Sequence, residues 1–205
     1  MEIKICGMKY NVREVAALQP DYLGFIFYDK SARNFENEMP ALNSNIKKVG
    51  VFVDEKISVI SKKVKELKLN VIQLHGNESE SYCQELKCSN PEIEIWKAFS
   101  VDEKFDFESI KVYKSIDKIL LDTKGENPGG NGHKFNWKTL ENIKFGKLFI
   151  LSGGINSEDA QLIKNLKEKN SDLVAIDLNS GFEIKSGFKD FEKLRRFIKE
   201  LKEII

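Results

Sequence analysis

The sequence predicts an α/β fold, a single (β/α)8 barrel over residues 1–205, and three observations predict it. Eight short β-branched or apolar runs recur along the chain, amphipathic stretches separate most of them, and the glycine-rich turns fall after the last three. Alternating strand and helix implies parallel strands joined by crossovers. Eight such units close into a barrel whose active site lies at the C-terminal strand ends. The competing open, doubly wound sheet would put its phosphate-type glycines after the first strand. Here they lie in Pro128 to Gly132, Ser152 to Gly154 and Asn179 to Gly181.

Taken in order, the strand candidates are Glu2 to Cys6, Tyr22 to Phe27, Lys48 to Val53, Val71 to His75, Ile93 to Phe99, Lys118 to Asp122, Leu148 to Ser152 and Leu173 to Asp177. Apolar residues three and four apart mark helices between them, as in Ile57, Ile60, Val64 and Leu67, or Leu194, Phe197, Ile198 and Leu201. The stretch from Ser31 to Asn45 departs from this rhythm. It holds Asn34, Asn37 and Met39-Pro40 without a sustained helical period, and proline blocks helix continuation. The second barrel helix is therefore expected to be short or replaced by loop.

Composition narrows the function classes. Lys plus Arg number 33 against 32 Asp plus Glu, a formal net charge of +1, so the chain lacks the basic footprint of nucleic-acid or anionic-membrane binders. Cys6, Cys83 and Cys88 show no metal-type spacing and their odd count gives no disulfide framework, which fits a reducing, cytoplasmic setting. No apolar run approaches the roughly 18 residues of a membrane span, and a strand begins almost at the N-terminus, so neither anchor nor signal peptide is expected.

Period-2 alternation assigns the side chains to faces. If Cys6 points into the barrel mouth, so do Lys4 and Glu2, while Ile3 and Ile5 face the helices. The same logic turns Asp122, Leu120 and Lys118 inward on strand six, Gln73 and His75 on strand four, and Asp177 and Ala175 on strand eight. Because strand eight closes against strand one, Lys4 is expected to pair with Asp177: a buried lysine needs such a partner. A thiol and a carboxylic acid at the ends of two strands offer a base and an acid without a metal. Backbone N–H groups of glycine-rich turns can face a phosphate. Plainer roles exist for each residue. Cysteine is commonly a small buried hydrophobe, Asp122 can hold a turn, a hydrogen-bonded structural role is the first reading of His75, and Cys83 and Cys88 are expected to pack a helix.

With these residues in view, the chain resembles the phosphoribosylanthranilate isomerases of tryptophan biosynthesis. The resemblance runs nearly end to end through KICGM (Lys4 to Met8), GFIFYDKSARNF (Gly24 to Phe35), VGVFVDE (Val49 to Glu55), IQLHGNES (Ile72 to Ser79), LLDTK (Leu120 to Lys124), GGNGHKFNW (Gly129 to Trp137), LSGGI (Leu151 to Ile155) and DLNSGFEIKSGFKD (Asp177 to Asp190). It implies a (β/α)8 barrel and a cofactor-free Amadori rearrangement of a small phosphosugar. Cys6 falls on the family's general base, Asp122 on its general acid and Arg33 on its arginine for the anthranilate carboxylate. Gln73 and His75 fall on positions lining the mouth, and Gly130, Gly153, Gly154, Ser180 and Gly181 on the phosphate loops. A monomer or homodimer is expected, and the Ser31 to Asn45 loop is expected to be mobile and to order over the bound anthranilate.

The chain departs from the family at Ala32 and near Ser186, where proline is common, and at Asn131, where threonine is usual. Two rival functions remain in view. An aminoimidazole-carboxamide ribotide isomerase would be expected to carry aspartate where this chain has Cys6. A catalytically inactive ligand-binding barrel would not be expected to keep Cys6, Asp122 and Arg33 together.

Overall fold

The computed structural model describes residues 1–123 and 135–204. β1 (Glu2–Ile5), β2 (Tyr22–Phe27), β3 (Lys47–Phe52), β4 (Val71–Leu74), β5 (Glu94–Val101), β6 (Lys118–Thr123), β7 (Phe149–Leu151) and β8 (Leu173–Leu178) pair in that order as a closed barrel. Every pairing is parallel, and β1 meets β8 in register Lys4↔Asp177. Closure excludes the open sheet. A small antiparallel pair, β9 (Glu183–Lys185) with β10 (Phe188–Lys189), follows β8 and was not foreseen.

Two apolar layers hold the barrel. Tyr22, Val49, Val51, Val71, Trp96, Ala98, Leu120, Ile150 and Ala175 fill its interior with Cys6 above them, while Ile3, Ile5, Leu23, Phe25, Ile72 and Ile119 face outward under the surrounding elements. Tyr22 and Trp96 meet edge to face at 4.9 Å in the interior, an arrangement that adds to the area they bury.

Helices α1 (Val12–Ala16), α2 (Ile57–Leu67), α3 (Glu80–Ser89), α4 (Ala160–Lys169) and α5 (Phe191–Ile204) pack outside. α3 begins at Ser79, whose hydroxyl accepts the Tyr82 N–H, and α5 begins behind Asp190, whose carboxylate accepts the Lys193 N–H. Both satisfy amide groups that a first helical turn leaves open. Ile60 and Val64 of α2 are buried, and so are Leu194, Phe197, Ile198 and Leu201 of α5. The helical spacing read from the sequence marks these inner faces.

No helix forms between β2 and β3, as expected. The start of that connection is nevertheless tied down. Phe35 is buried against Phe25, with ring centroids 4.8 Å apart, and its N–H donates to Ile26. Loss of helix also occurs where it was not anticipated: the β5–β6 connection holds a 3-10 helix, Phe107–Val112, and another, Trp137–Leu140, precedes β7. Phe99, Phe105, Phe107, Phe145 and Phe149 form a run of ring contacts over this side of the barrel. Bulky rings there cover the strands that full helices would otherwise cover. Cys83 is buried as expected, with its thiol pushed up to about 12 chiefly by that burial, but Cys88 is exposed and does not pack. Among the described residues no helix is long and apolar enough to cross a membrane.

Candidate active site

A cleft opens at the C-terminal ends of the strands, the face on which barrels of this kind carry their active sites. Cys6, Gln73, His75, Asp122, Gly153, Gly154, Ser180 and Gly181 all line it. Every strand-end position singled out by alternation therefore reaches one space. Gly130 lies outside the described residues. Arg33 does not line the cavity itself, although Ser31 two residues earlier does.

Cys6 follows β1 directly and its N–H donates to Leu178, which fixes the strand end against β8. Space for the thiol comes from Gly24 across the β1–β2 pair: a Cβ there would lie 2.8 Å from Cys6 Sγ. Beneath the thiol, Lys4 Nζ lies 2.6 Å from Asp177 Oδ2 with both side chains buried, and this is the pair the alternation predicted. Burial pushes the Cys6 thiol up from its ordinary value; Lys4 and Lys189 pull it down and Asp177 adds to the rise. Lys4 stays above the ordinary lysine value despite burial, because Asp177 and Cys6 face it.

Asp122 sits on β6, almost fully buried. Its Oδ1 accepts the Thr123 N–H at 2.9 Å, and its Oδ2 lies 3.3 Å from His75 Nε2. The other ring nitrogen of His75 is 3.1 Å from Gln73 Nε2. When the amide donates to Nδ1, the ring proton is on Nε2 and faces Asp122. His75 thus unites the structural role first assigned to it with a place in the mouth. Two buried acceptors here, Gln73 Oε1 and Asp177 Oδ1, lack a hydrogen-bond partner among the described residues. Both belong to cavity-lining residues, so a donor group entering the cavity would satisfy them.

Arg33 comes from the β2–β3 loop. Its side chain forms a two-pronged ion pair with Glu183 of β9, Nη2 lying 2.6 Å from Oε2. Its stem crosses Gly7, where a Cβ would lie 2.7 Å from Arg33 Cδ; Gly7 also takes a φ of +70° that glycine adopts freely. Glu183, Asn179 and Lys189 were missed as site residues. They fall within the DLNSGFEIKSGFKD block, yet nothing in local spacing shows that β9 turns back toward a loop 150 residues away.

The closed parallel barrel, with an acid, a thiol and glycine-bearing turns around one mouth, defines a (β/α)8-barrel enzyme for a small phosphorylated ligand. Residues 3–200 match the family described as N-(5'phosphoribosyl)anthranilate (PRA) isomerase. The chain belongs to that family. Its reaction is the aldose-to-ketose isomerisation of phosphoribosylanthranilate in tryptophan biosynthesis. A relative from Parabacteroides distasonis named N-(5'-phosphoribosyl)anthranilate isomerase is 43% identical over 210 residues, covering 98% of this chain and 93% of the relative. Among solved structures, phosphoribosyl anthranilate isomerase from Thermus thermophilus superposes with a TM-score of 0.84 at 27% identity, over 100% of both chains. A phosphoribosyl anthranilate isomerase in complex with reduced 1-(o-carboxyphenylamino)-1-deoxyribulose 5-phosphate gives 0.80 at 28% identity, over 99% of each.

Proposed function

We propose that Asp122 is the general acid and Cys6 the general base of this isomerisation, within a single barrel that carries the whole site. The observation that carries the reading is that the Asp122 carboxyl and the Cys6 thiol line the same cavity as Gly153, Gly154, Ser180 and Gly181. In the first step Asp122 donates a proton to the ribose ring oxygen, the C1–O bond breaks, and the nitrogen lone pair forms an iminium. In the second, the Cys6 thiolate takes the proton from C2 and those electrons neutralise the iminium, giving an enolamine. Tautomerisation of the enolamine gives the ketone, 1-(2-carboxyphenylamino)-1-deoxyribulose 5-phosphate. Lys4 and Lys189 support the second step, since both favour the thiolate against burial.

The phosphate would lie against backbone N–H groups of the loops after β7 and β8, through Gly153, Gly154, Ser180 and Gly181, with Gly130 as a further contact. Gln73 and His75 would face the sugar, and the unpartnered acceptors Gln73 Oε1 and Asp177 Oδ1 suit its hydroxyls. Arg33 would receive the anthranilate carboxylate. Three unpaired cysteines suit a cytoplasmic setting.

The test mixes purified protein with freshly prepared substrate and follows the loss of anthranilate-type fluorescence. Cys6→Ala and Asp122→Ala should each lower turnover by about 100- to 10,000-fold while far-UV circular dichroism stays that of the parent. Near-full activity in either variant overturns the assignment of that residue.

A further inference from the structure

Glu183 grips Arg33 along one side of the guanidinium. Arg33 Nε donates to Oε1 and Oε2, each at 3.0 Å, and Nη2 donates to Oε2 at 2.6 Å. Glu183 is itself fixed from behind. Its Oε1 accepts from Lys189 Nζ at 2.8 Å and from the Gly187 N–H at 3.0 Å, and Lys189 Nζ also donates to Asn179 Oδ1 at 2.7 Å.

A guanidinium has two edges that can meet a carboxylate bidentately, Nε with Nη2 and Nη1 with Nη2. Glu183 occupies the first, and among the described residues Nη1 has no acceptor. The charges of the cluster are also out of balance. Arg33 and Lys189 are two cations, Glu183 is one carboxylate, and their side chains are 15%, 0% and 5% exposed. Two cations share the one carboxylate, and the open guanidinium edge leaves Arg33 able to take a second anion. The Arg33 stem crosses Gly7, the residue after Cys6, where a Cβ would lie 2.7 Å from Arg33 Cδ, so the guanidinium is carried on a stem that passes the catalytic strand end.

We propose that Glu183 is a positioning residue: it holds Arg33 side-on, so that the free guanidinium edge takes the ring carboxylate of the substrate and the site selects carboxylated over uncarboxylated aryl amines. The proposal rests on the reading of Arg33 given above and adds what aims it and what supplies the selectivity. Without Glu183, Arg33 would keep its charge but lose its fixed plane, and a planar two-point contact depends on that plane.

The experiment compares kcat/KM for phosphoribosylanthranilate with that for the uncarboxylated analogue made from ribose 5-phosphate and aniline. It uses the parent, Arg33→Met, Glu183→Gln and Glu183→Asp, each checked for folding by circular dichroism and thermal unfolding. Discrimination between the two substrates should fall about tenfold or more in Arg33→Met and in Glu183→Gln, the usual scale for a charge-assisted contact. The loss in Glu183→Gln should come through KM more than kcat. Glu183→Asp keeps the charge but shortens the reach and should lie between parent and Gln; it decides the matter if Glu183→Gln does not fold. Discrimination lost in Arg33→Met but kept in the Glu183 variants overturns the positioning role while leaving Arg33 as the clamp. Discrimination kept in Arg33→Met overturns the Arg33 reading and the proposal with it.

Discussion

Lys4 and Asp177 face each other directly across the β1–β8 seam, register partners whose charged atoms lie 2.6 Å apart beneath the Cys6 thiol. Removing one member leaves the other buried and unpaired, which costs more than the intact pair contributes. Lys4→Met should therefore destabilise the fold by about 3–5 kcal/mol, read from urea unfolding. Lys4→Met combined with Asp177→Leu should recover much of that loss, since apolar replacement of a whole buried pair is often neutral. A double variant as unstable as the sum of its single variants would contradict this account.

The contact of His75 Nε2 with Asp122 Oδ2 holds the acid in one orientation. His75→Ala should lower kcat by about two- to tenfold, the range for a lost hydrogen bond between neutral groups, with a smaller change in KM. Steady-state kinetics decide it. A change confined to KM would place His75 in binding alone.

Burial raises the Cys6 thiol above its ordinary value. The sign follows directly: a raised thiol stays protonated further up the pH scale, so its thiolate, the form that alkylates, appears late. Iodoacetamide labelling of the Cys6 peptide should be slow near neutrality and still be climbing at pH 9, about tenfold per pH unit. Exposed Cys88 serves as the reference within the same digest. A Cys6 rate that levels off below pH 8 would show that Lys4 and Lys189 outweigh burial.

Glu183 carries the opposite sign. Burial alone would raise its carboxyl, but hydrogen bonds from Arg33 and Lys189 hold it below the ordinary glutamate value. A depressed folded-state value contributes stability above the unfolded value of 4.5, and that contribution is lost as pH falls through the folded one. Glu183→Gln should flatten the decline in stability below pH 4.5, followed as Tm against pH in parallel with the parent. Parallel curves for the two proteins would remove Glu183 from the acid response.

Much of the mouth was legible in the sequence because a strand alternates side chains with a strict period. Once Cys6 was set inward, Lys4 followed, and closure of the barrel supplied Asp177; Gln73, His75 and Asp122 followed on the same rule. The identity of the reaction came from the ordered motif blocks rather than from that rule. Arg33's tie to Glu183 was not legible, since it joins a loop to a short hairpin 150 residues on and neither has a periodic pattern. The 3-10 helices at Phe107–Val112 and Trp137–Leu140 escaped for a related reason. Their form is set by rings such as Phe105, Phe107 and Phe145 packing over the barrel, and the spacing of those rings does not announce a helix.

The seam between β1 and β8 also sets when this enzyme can come into being. The residues that meet there, Lys4 and Asp177, are 173 positions apart, and the Cys6 N–H waits for the Leu178 carbonyl. Contacts of such separation form late, after the intervening chain has been ordered. On the ribosome the thiol is made seven strands before the wall beside it, and it has no finished surroundings until the eighth strand has emerged. A nascent chain carrying the first seven strands would hold the Cys6 thiol, the Asp122 carboxyl and the Arg33 guanidinium without the wall that joins them. Chemistry at this mouth therefore begins only once the eighth strand has closed against the first.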